Sequence, residues 1–331
     1  MEFAIQVSGG QVRRDKPGIE ALIDDAVLAE AMGFSTVFVP DHYVSEALGH
    51  LQRDIPMYEM FFAMATLAQR TKTIKIGSHV ACMLFRHPAM HARLFAQIDE
   101  ASGGRVIAGV GAGWTRAEFA MMGIPFPDVS ERLKMMDEGV AIMRGLWAEE
   151  SFSYEGTYYQ IADACCLPKP AQAGGPPIML GGSGNGILRR AGEWADIIHM
   201  VPVIGAAGTT TLEEIKKFSD GSLKEKLARV AAAAAKAGRA PGSVRFASTI
   251  FRYQMTSSPA ETRREADQMA QLFGIAADEL LAHPVSLIGT ADEIVAELQR
   301  REREHGLSML ALNFASQDEL RAFGERVLPR V

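Results

Sequence analysis

Short β-branched or aromatic segments alternate with longer amphipathic segments along the 331 residues, and this pattern occurs eight times. Each short segment has the composition of a strand, and each longer one has apolar residues at helical spacing. The predicted strands cover residues 3–7, 35–39, 73–77, 105–110, 178–180, 196–200, 243–251 and 308–313. Strands that alternate with helices predict a parallel sheet, and eight such units favour an α/β fold closed into a (β/α)8 TIM barrel with insertions. A doubly wound open sheet is the alternative.

The predicted helices cover residues 19–32, 58–69, 88–101, 130–147, 187–194, 212–236, 259–273 and 291–305, and the fourth has a capped start at Ser130. Residues 153–161 alternate around Gly156 and predict a small hairpin, and residues 284–289 are extended. Barrels of this kind often reach this length as one domain. We therefore expect a single domain over residues 1–331, with insertion segments near 151–175 and 201–242.

Composition argues against several classes of partner. The formal net charge is -6 and the basic residues are scattered, so neither nucleic acid nor a membrane surface is expected. No apolar run approaches the roughly 18 residues of a membrane span, and the first residues lack the pattern of a signal peptide. Three cysteines, Cys82, Cys165 and Cys166, include an adjacent pair that rarely forms a disulfide, which favours free thiols in a cytoplasmic protein. No Cys/His spacing suggests a metal site. Because the charge pattern argues against nucleic acid and membranes, the expected partners are small molecules and a second copy of the chain.

Two glycine clusters directly follow predicted strands. The first is GVGAGW over residues 109–114 and the second is GGSGNG over residues 181–186. Backbone without side chains can approach a ligand closely, and the helix after the second cluster would point its unpaired N–H groups at an anion, so this pattern predicts a phosphate site. Neither cluster is the dinucleotide fingerprint G-x-G-x-x-G, because Trp114 and Ile187 stand where its third glycine would be. The alternative is that these glycines only shape strand-to-helix turns.

Active sites of such barrels lie at the carboxyl ends of the strands, which meet on one face. The candidate site residues there are Ser8, Asp41, His42, Ser78, His79, Val80, Ala81, Gly111, Ala112, Gly113, Trp114, Gly181, Gly182, Ser183, Gly184, Asn185 and His199. His42 can exchange a proton near neutral pH, and Asp41 could orient it or accept a hydrogen bond from a ligand ring, so this pair is the candidate catalytic pair. The alternative for the pair is a capping aspartate with a packed histidine, and His79 has the similar alternative of a buried core histidine. Ser8 and His199 are interpreted as lining the substrate pocket.

An ordered set of motifs carries a family resemblance. It consists of VFVPDH (37–42), KIGSHV (75–80), RHP (86–88), SGGRVIAGVGAGW (102–114), GLW (145–147), YEGTYY (154–159) and PIMLGGSG (177–184), with a looser match at SLIGTADEI (286–294). Taken together, the chain resembles the luciferase-like monooxygenase superfamily, and within it the branch of oxidoreductases that depend on the deazaflavin coenzyme F420. The resemblance implies a (β/α)8 barrel with a flavin-type cofactor at its carboxyl face, frequently as a homodimer.

The resemblance also assigns residues. Asp41 and His42 match the pair beside the redox ring, and because Tyr43 follows them, where FMN-dependent luciferases more often have a second histidine, F420 is favoured over FMN. His79–Val80 matches a bulge with a non-proline cis peptide behind the ring, within the cofactor-binding segment Ser78 to Ala81. The two glycine segments, 111–113 and 181–185, match contacts of the cofactor's phosphate tail. Trp114 stands where a sugar-phosphate dehydrogenase of the family has a catalytic glutamate, which argues against that chemistry here.

These observations predict an enzyme that transfers a hydride between coenzyme F420 and a small organic substrate. Hydride transfer requires two carbons held near contact, with water excluded. The first alternative is an FMN-dependent luciferase-like monooxygenase. The others are a barrel lyase or isomerase that binds a substrate phosphate, and a cofactor-binding protein without catalysis. The sequence does not identify the substrate.

Overall fold

The computed structural model describes residues 1–7, 18–47, 50–53, 55–203 and 211–331. The strands are β1 (Glu2–Gln6), β2 (Thr36–Val39), β3 (Ser45–Ala47), β4 (His50–Gln52), β5 (Lys75–Ser78), β6 (Ala81–Cys82), β7 (Val106–Gly111), β8 (Phe152–Glu155), β9 (Gln160–Ala164), β10 (Ile178–Gly181), β11 (Ile197–Met200), β12 (Arg245–Ile250), β13 (Arg252–Met255), β14 (Ser286–Gly289) and β15 (Leu307–Leu312). The helices are α1 (Ile19–Ala31), α2 (Met60–Arg70), α3 (Pro88–Ser102), α4 (Arg116–Met122), α5 (Val129–Ala148), α6 (Asn185–Trp194), α7 (Leu212–Lys217), α8 (Asp220–Lys236), α9 (Pro259–Phe273), α10 (Ala277–Leu281), α11 (Ala291–His305) and α12 (Gln317–Arg326), followed by one turn of 3-10 helix at Leu328–Arg330.

The main sheet closes on itself. Its strands follow the order β10-β11-β12-β15-β1-β2-β5-β7, and β7 also pairs with β10. All of these pairings are parallel, and the short β6 extends the sheet beside the end of β7. The predicted (β/α)8 barrel is confirmed, and the open-sheet alternative is wrong.

Apolar side chains fill the inside of the barrel. The interior cluster comprises Ala4, Phe38, Ile107, Met179, Ile197, Ala247, Met309 and Ala311, all at most 2 % exposed. Phe38 takes the space beside Gly77, where an added Cβ would lie 2.4 Å from its ring. Alternate strand residues point outward and pack against the helices. The strands are therefore apolar on both faces, and polar chemistry is left to their ends.

Three local details differ from the sequence prediction. Helix α5 is capped by Asp128, whose side chain accepts from the Glu131 N–H, and not by Ser130. The predicted helix over 212–236 is two helices, because Phe218 is buried and Ser219 caps the second one. Helix α4 was not predicted at all. Among the described residues, no helix combines the length and the apolar character that a bilayer crossing requires.

The elements outside the barrel agree with the prediction in part. The hairpin β8–β9 is antiparallel and lies in the first insertion segment, and α7 and α8 lie in the second. The extended residues 284–289 contain β14, which pairs in parallel with β13. The pair β3–β4, strand β13 and helices α10 and α12 were not predicted. The division of the chain into one domain with these insertions stays a prediction.

Candidate active site

A cavity of about 290 Å³ opens at the carboxyl ends of the barrel strands. Its volume is close to the lower end of the range for small-molecule sites. The predicted residues that line it are Asp41, His42, His79, Val80, Gly111, Ala112, Gly113, Trp114, Gly181, Gly182, Ser183, Gly184 and His199. Most of the residues proposed from the sequence are thus brought together at one place.

Three of the predicted residues are described but do not line the cavity, namely Ser78, Ala81 and Asn185. Ser78 is fully buried and donates its hydroxyl to the carbonyl oxygen of Gly109 at 2.7 Å. Ala81 is buried in β6, and the side-chain oxygen of Asn185 accepts from Arg229. Ser8 lies outside the described residues. The first two positions hold the strands that carry the site and do not line the cavity.

His42 is held by a carboxylate that sequence analysis missed. Its Nδ1 lies 2.9 Å from Oε2 of Glu118, which is 1 % exposed on α4. Oε1 of the same carboxylate accepts the backbone N–H groups of Tyr43 and Val44, at 2.7 and 3.2 Å. Glu118 therefore fixes both the imidazole and the chain that follows it. A carboxylate that accepts from Nδ1–H leaves Nε2 of a neutral imidazole as the proton acceptor.

No local signal in the sequence identifies Glu118. A glutamate in the first turn of a helix is ordinarily explained by the helix dipole. Its contact with His42 crosses 76 residues of chain and depends on the return of α4 over the end of β2. Trp114 packs edge-on against the same imidazole, with ring centroids 5.5 Å apart.

Asp41 has other partners. Its two carboxylate oxygens accept from Arg86, each at 2.8 Å, and one of them also accepts the backbone N–H of Cys82 at 2.9 Å. Both Asp41 and Arg86 have most of their side-chain surface buried. The carboxylate that contacts His42 is thus Glu118, whereas Asp41 ties the end of β2 to the segment after β5. The predicted orienting role of Asp41 needs this correction, although Asp41 does line the cavity.

Two histidines, the half-buried His79 and the buried His199, form the floor of the cavity. His79 Nδ1 lies 3.0 Å from the side-chain oxygen of Gln6, and its Nε2 lies 3.0 Å from Nδ1 of His199. His199 Nε2 lies 3.0 Å from the hydroxyl of Thr249. Burial lowers the pKa of His79 well below its usual range and that of His199 to about 4. Both rings are therefore neutral at pH 7, and His79 is a half-buried histidine whose ring nitrogens both have partners and which also faces the cavity.

This burial predicts a loss of stability in mild acid. An unfolded histidine binds a proton with a pKa near 6.5, whereas folded His199 does so only near 4, so the unfolded chain binds more protons in this interval. The contribution of neutral His199 to the free energy of unfolding is complete above pH 6.5 and is lost as the pH falls towards 4. We expect His199→Gln to reduce the drop in unfolding free energy between pH 7 and pH 5 by about 2 kcal/mol, as measured by urea titration. The exposed control His50→Gln should keep the wild-type drop, and an equal drop in His199→Gln would contradict the assignment.

The peptide between His79 and Val80 is cis, as the resemblance implied. Val80 projects its side chain over both glycine clusters. A Cβ added at Gly111 would lie 2.8 Å from Val80 Cγ2, and one added at Gly181 would lie 3.0 Å from both of its methyl groups. At these two positions, the bare backbone makes room for Val80 as well as for any ligand.

The second cluster ends in an open helix start. Gly184 is the N-cap of α6, no side chain caps it, and a Cβ added there would meet nothing within 4 Å. The first intrahelical bonds run from the N–H groups of Ile187 and Leu188 to the carbonyl of Gly184. The N–H groups ahead of them have no intrahelical acceptor, which is the arrangement that binds an anion.

The cavity has further lining residues that sequence analysis did not propose. They are Cys82, Phe85, Glu118, Val129, Arg132, Leu133, Ile187, Val201, Pro202 and Val203. Most are apolar, so the described wall can exclude water from a bound ring. Burial raises the pKa of the Cys82 thiol, which makes it a poor nucleophile. The two charged residues of this set are Glu118, which holds His42, and Arg132, which brings a buried positive charge to the wall.

Comparison with known proteins gives a consistent result. The model of the luciferase-like monooxygenase family matches residues 1–320. An F420-dependent glucose-6-phosphate dehydrogenase of Microbacterium testaceum is 35% identical over 192 residues, which are 57% of this chain and 54% of that protein. The chain thus spans about half the length of this relative. The enzyme of the same name from Intrasporangium calvum is 28% identical, and the alignment covers 97% of this chain and 97% of that protein.

A solved structure supports the fold over the whole chain. It is an F420-dependent secondary alcohol dehydrogenase in complex with an F420–acetone adduct, with a TM-score of 0.77, 22% identity and 98% of each chain covered. At this identity the likeness concerns the fold. The family model confirms the resemblance to the luciferase-like monooxygenase family that was identified from the sequence. This chain therefore belongs to the luciferase-like monooxygenase family.

Proposed function

We propose that this protein is an oxidoreductase that transfers a hydride between coenzyme F420 and a small organic substrate. The observation that carries the proposal is the His42–Glu118 pair at the wall of a largely apolar cavity, opposite the open N-terminus of α6. A proton-exchanging group, a water-excluding wall and an anion site are the three features that a deazaflavin with a phosphate tail requires.

The described residues fit the cofactor. When bound, the deazaflavin supplies the ring carbon that gives or accepts the hydride. Val80, presented by the cis peptide, would back the ring, and the N–H groups at the start of α6 would hold the phosphate. His42 would exchange at Nε2 the proton that accompanies hydride transfer, while Glu118 keeps the proton on Nδ1. Asp41 and Arg86 would hold β6 and the ring-facing segment in place.

The substrate is proposed only as a small organic molecule. The two relatives described above are named for glucose-6-phosphate, and transfer of that activity to this chain would be a separate proposal. Trp114 lines the cavity beside His42, and an indole can supply only one N–H donor and an apolar surface. We therefore favour an uncharged reacting group at this position over a sugar phosphate.

Binding titrations test the cofactor. We expect the purified protein to bind F420 with micromolar or tighter affinity and to bind FMN at least about tenfold more weakly, as measured by quenching of cofactor fluorescence. Reduction of bound F420 by candidate alcohols, followed by absorbance without oxygen, then tests the reaction. Tight FMN binding with no F420 binding would contradict the proposal. Oxygen uptake with reduced FMN would instead support the monooxygenase alternative, and turnover without any cofactor would support the lyase or isomerase.

We also propose a homodimer that covers the outer face of α2 and α3. A groove of about 510 Å³ lies between these helices. Phe62, which is 55% exposed, lines this groove together with Leu94 and Ile98. Exposed apolar surface of this kind marks interaction sites in many proteins, and sedimentation velocity measures the mass directly. We also propose a cytoplasmic location and no nucleic-acid partner. The three cysteines are free thiols, which agrees with the proposed cytoplasmic location.

A further inference from the structure

A buried arginine without a carboxylate partner faces the cavity. Arg132, in the first turns of α5, is 8% exposed and belongs to the cavity wall. One Nη of its guanidinium donates to the carbonyl of Pro127, whereas its Nε is buried and has no hydrogen-bond acceptor among the described residues. No carboxylate of the described residues lies within ion-pair distance of it. Burying a charge without a partner is costly, so the site has a deficit of one anion.

The neighbours of Arg132 leave this charge uncompensated. Asp128, four residues earlier, spends its carboxylate on the cap of α5 at the Glu131 N–H, 3.0 Å away. Arg116 adds a second positive charge, because both guanidinium groups lie over the ring of Phe126, at 4.6 and 4.0 Å from its centroid. Burial lowers the pKa of Arg132, and the charge of Asp128 opposes this shift without forming an ion pair. An arginine nevertheless stays protonated in proteins.

Helix α5, which carries Arg132, lies against α6 at the wall of the cavity. Leu133, the next residue, is in contact with α6, since a Cβ added at Gly186 would lie 2.7 Å from its Cδ1. Gly182, Ser183 and Gly184 line the same cavity as Arg132. The positive end of the α6 dipole and a preorganised guanidinium therefore face one space. Arginine forks match the geometry of phosphate oxygens better than any other side chain.

We infer that Arg132 is the cation that binds the phosphate of the cofactor at the N-terminus of α6. The inference rests on the proposed function for the identity of the ligand, but the anion site itself does not. A phosphate placed there accepts from the Nη that does not bond Pro127 and from the backbone N–H groups at the start of α6, so the buried positive charge gains its missing anion. The ring and the phosphate are thereby recognised by separate parts of the cavity.

The test compares two ligands, only one of which carries the phosphate and the anionic tail attached to it. We measure dissociation constants for F420 and for its dephosphorylated chromophore, which keeps the ring and the ribityl chain. Arg132→Met should weaken F420 binding about 30- to 100-fold and leave chromophore binding unchanged, and Arg132→Lys should fall between Arg132→Met and the wild type. The control Arg189→Met removes an exposed arginine of α6 that is paired with Glu193, and it should alter neither constant. Equal F420 affinity in wild type and Arg132→Met would overturn the inference.

A second readout separates this inference from the proposed function. Inorganic phosphate should raise the melting temperature of the wild type, raise that of Arg132→Lys by less, and leave that of Arg132→Met unchanged, whether or not F420 binds. If neither F420 nor its chromophore binds the wild type, the proposed function fails while phosphate protection still decides the anion site. If Arg132→Met does not fold, Arg132→Lys decides, because it keeps the charge and loses the fork. Phosphate protection that is unchanged in Arg132→Lys and in any folded Arg132→Met would overturn the inference.

Discussion

Replacing Glu118 by glutamine is expected to lower kcat/KM by about two to four orders of magnitude and to leave the fold intact. The glutamine oxygen can still accept the N–H groups of Tyr43 and Val44, which lie 2.7 and 3.2 Å from Oε1 of the glutamate. Its NH₂ group then faces Nδ1 of His42, where the carboxylate oxygen lies at 2.9 Å. A donor at this place forces Nδ1 to accept and moves the proton to Nε2. The imidazole is then in the wrong tautomer, a defect that costs about 10⁴ in kcat in serine proteases.

The effect should act through His42 alone. The double variant Glu118→Gln, His42→Gln should be no slower than His42→Gln, because groups that act as one unit are not additive. Binding of F420 by Glu118→Gln should stay within about threefold of the wild type, since the phosphate and ring contacts are elsewhere. Glu193→Gln, on the surface of α6, is the control and should retain full activity. Additive losses in the double variant would show that Glu118 does not work by positioning His42.

Replacing Gly109 by alanine is expected to destabilise the protein by at least about 3 kcal/mol. A Cβ at this position would lie 2.0 Å from the carbonyl oxygen of Ser78 and 2.9 Å from the methyl group of Met179. The first obstacle is backbone, and the hydroxyl of Ser78 also bonds the Gly109 carbonyl at 2.7 Å. Strands β5 and β7 would have to separate, so the cost should reach or exceed the 1–3 kcal/mol that is typical of overpacked cores. Urea unfolding measures the loss as a lower midpoint at an unchanged slope.

The same substitution at Gly221 provides the control. Gly221 lies in the first turn of α8, and a Cβ added there would meet nothing within 4 Å. Gly221→Ala should therefore stabilise the protein by about 0.5 to 1 kcal/mol, because alanine restricts the unfolded chain and favours the helix. A Gly109→Ala protein within about 1 kcal/mol of the wild type would mean that the strands separate at little cost.

The fold could be predicted from the sequence because its signals are local. Periodicity placed most of the barrel strands to within one or two residues, as for β12, predicted at 243–251 and observed at Arg245–Ile250. Parallel pairing then required the carboxyl ends to meet, which put His42, Val80 and Gly184 at one cavity. The failures were short or interrupted helices. Helix α4 has only seven residues, and the break at Phe218 depends on burial of that ring.

The site was predicted only in part, because the missing residues act through contacts between distant segments. Asp41 and His42 are adjacent in the chain, yet their charged partners are Arg86 and Glu118 on other elements. Gly109 belongs to a cluster interpreted as a ligand site, whereas its closest neighbour is the main chain of β5. A sequence pattern gives the type of a side chain and its face, but not which group lies opposite.

The sequence by itself determined that the chain forms a (β/α)8 barrel and at which end its chemistry lies, because strand and helix periods and glycine turns are properties of neighbouring residues. The tertiary structure alone decided that Glu118 fixes the tautomer of His42, that Asp41 is committed to Arg86, and that Arg132 faces the cavity without a described carboxylate partner. Hydrogen bonds and ion pairs act over about 3 Å, so they depend on how α4, α5 and β6 pack around the barrel.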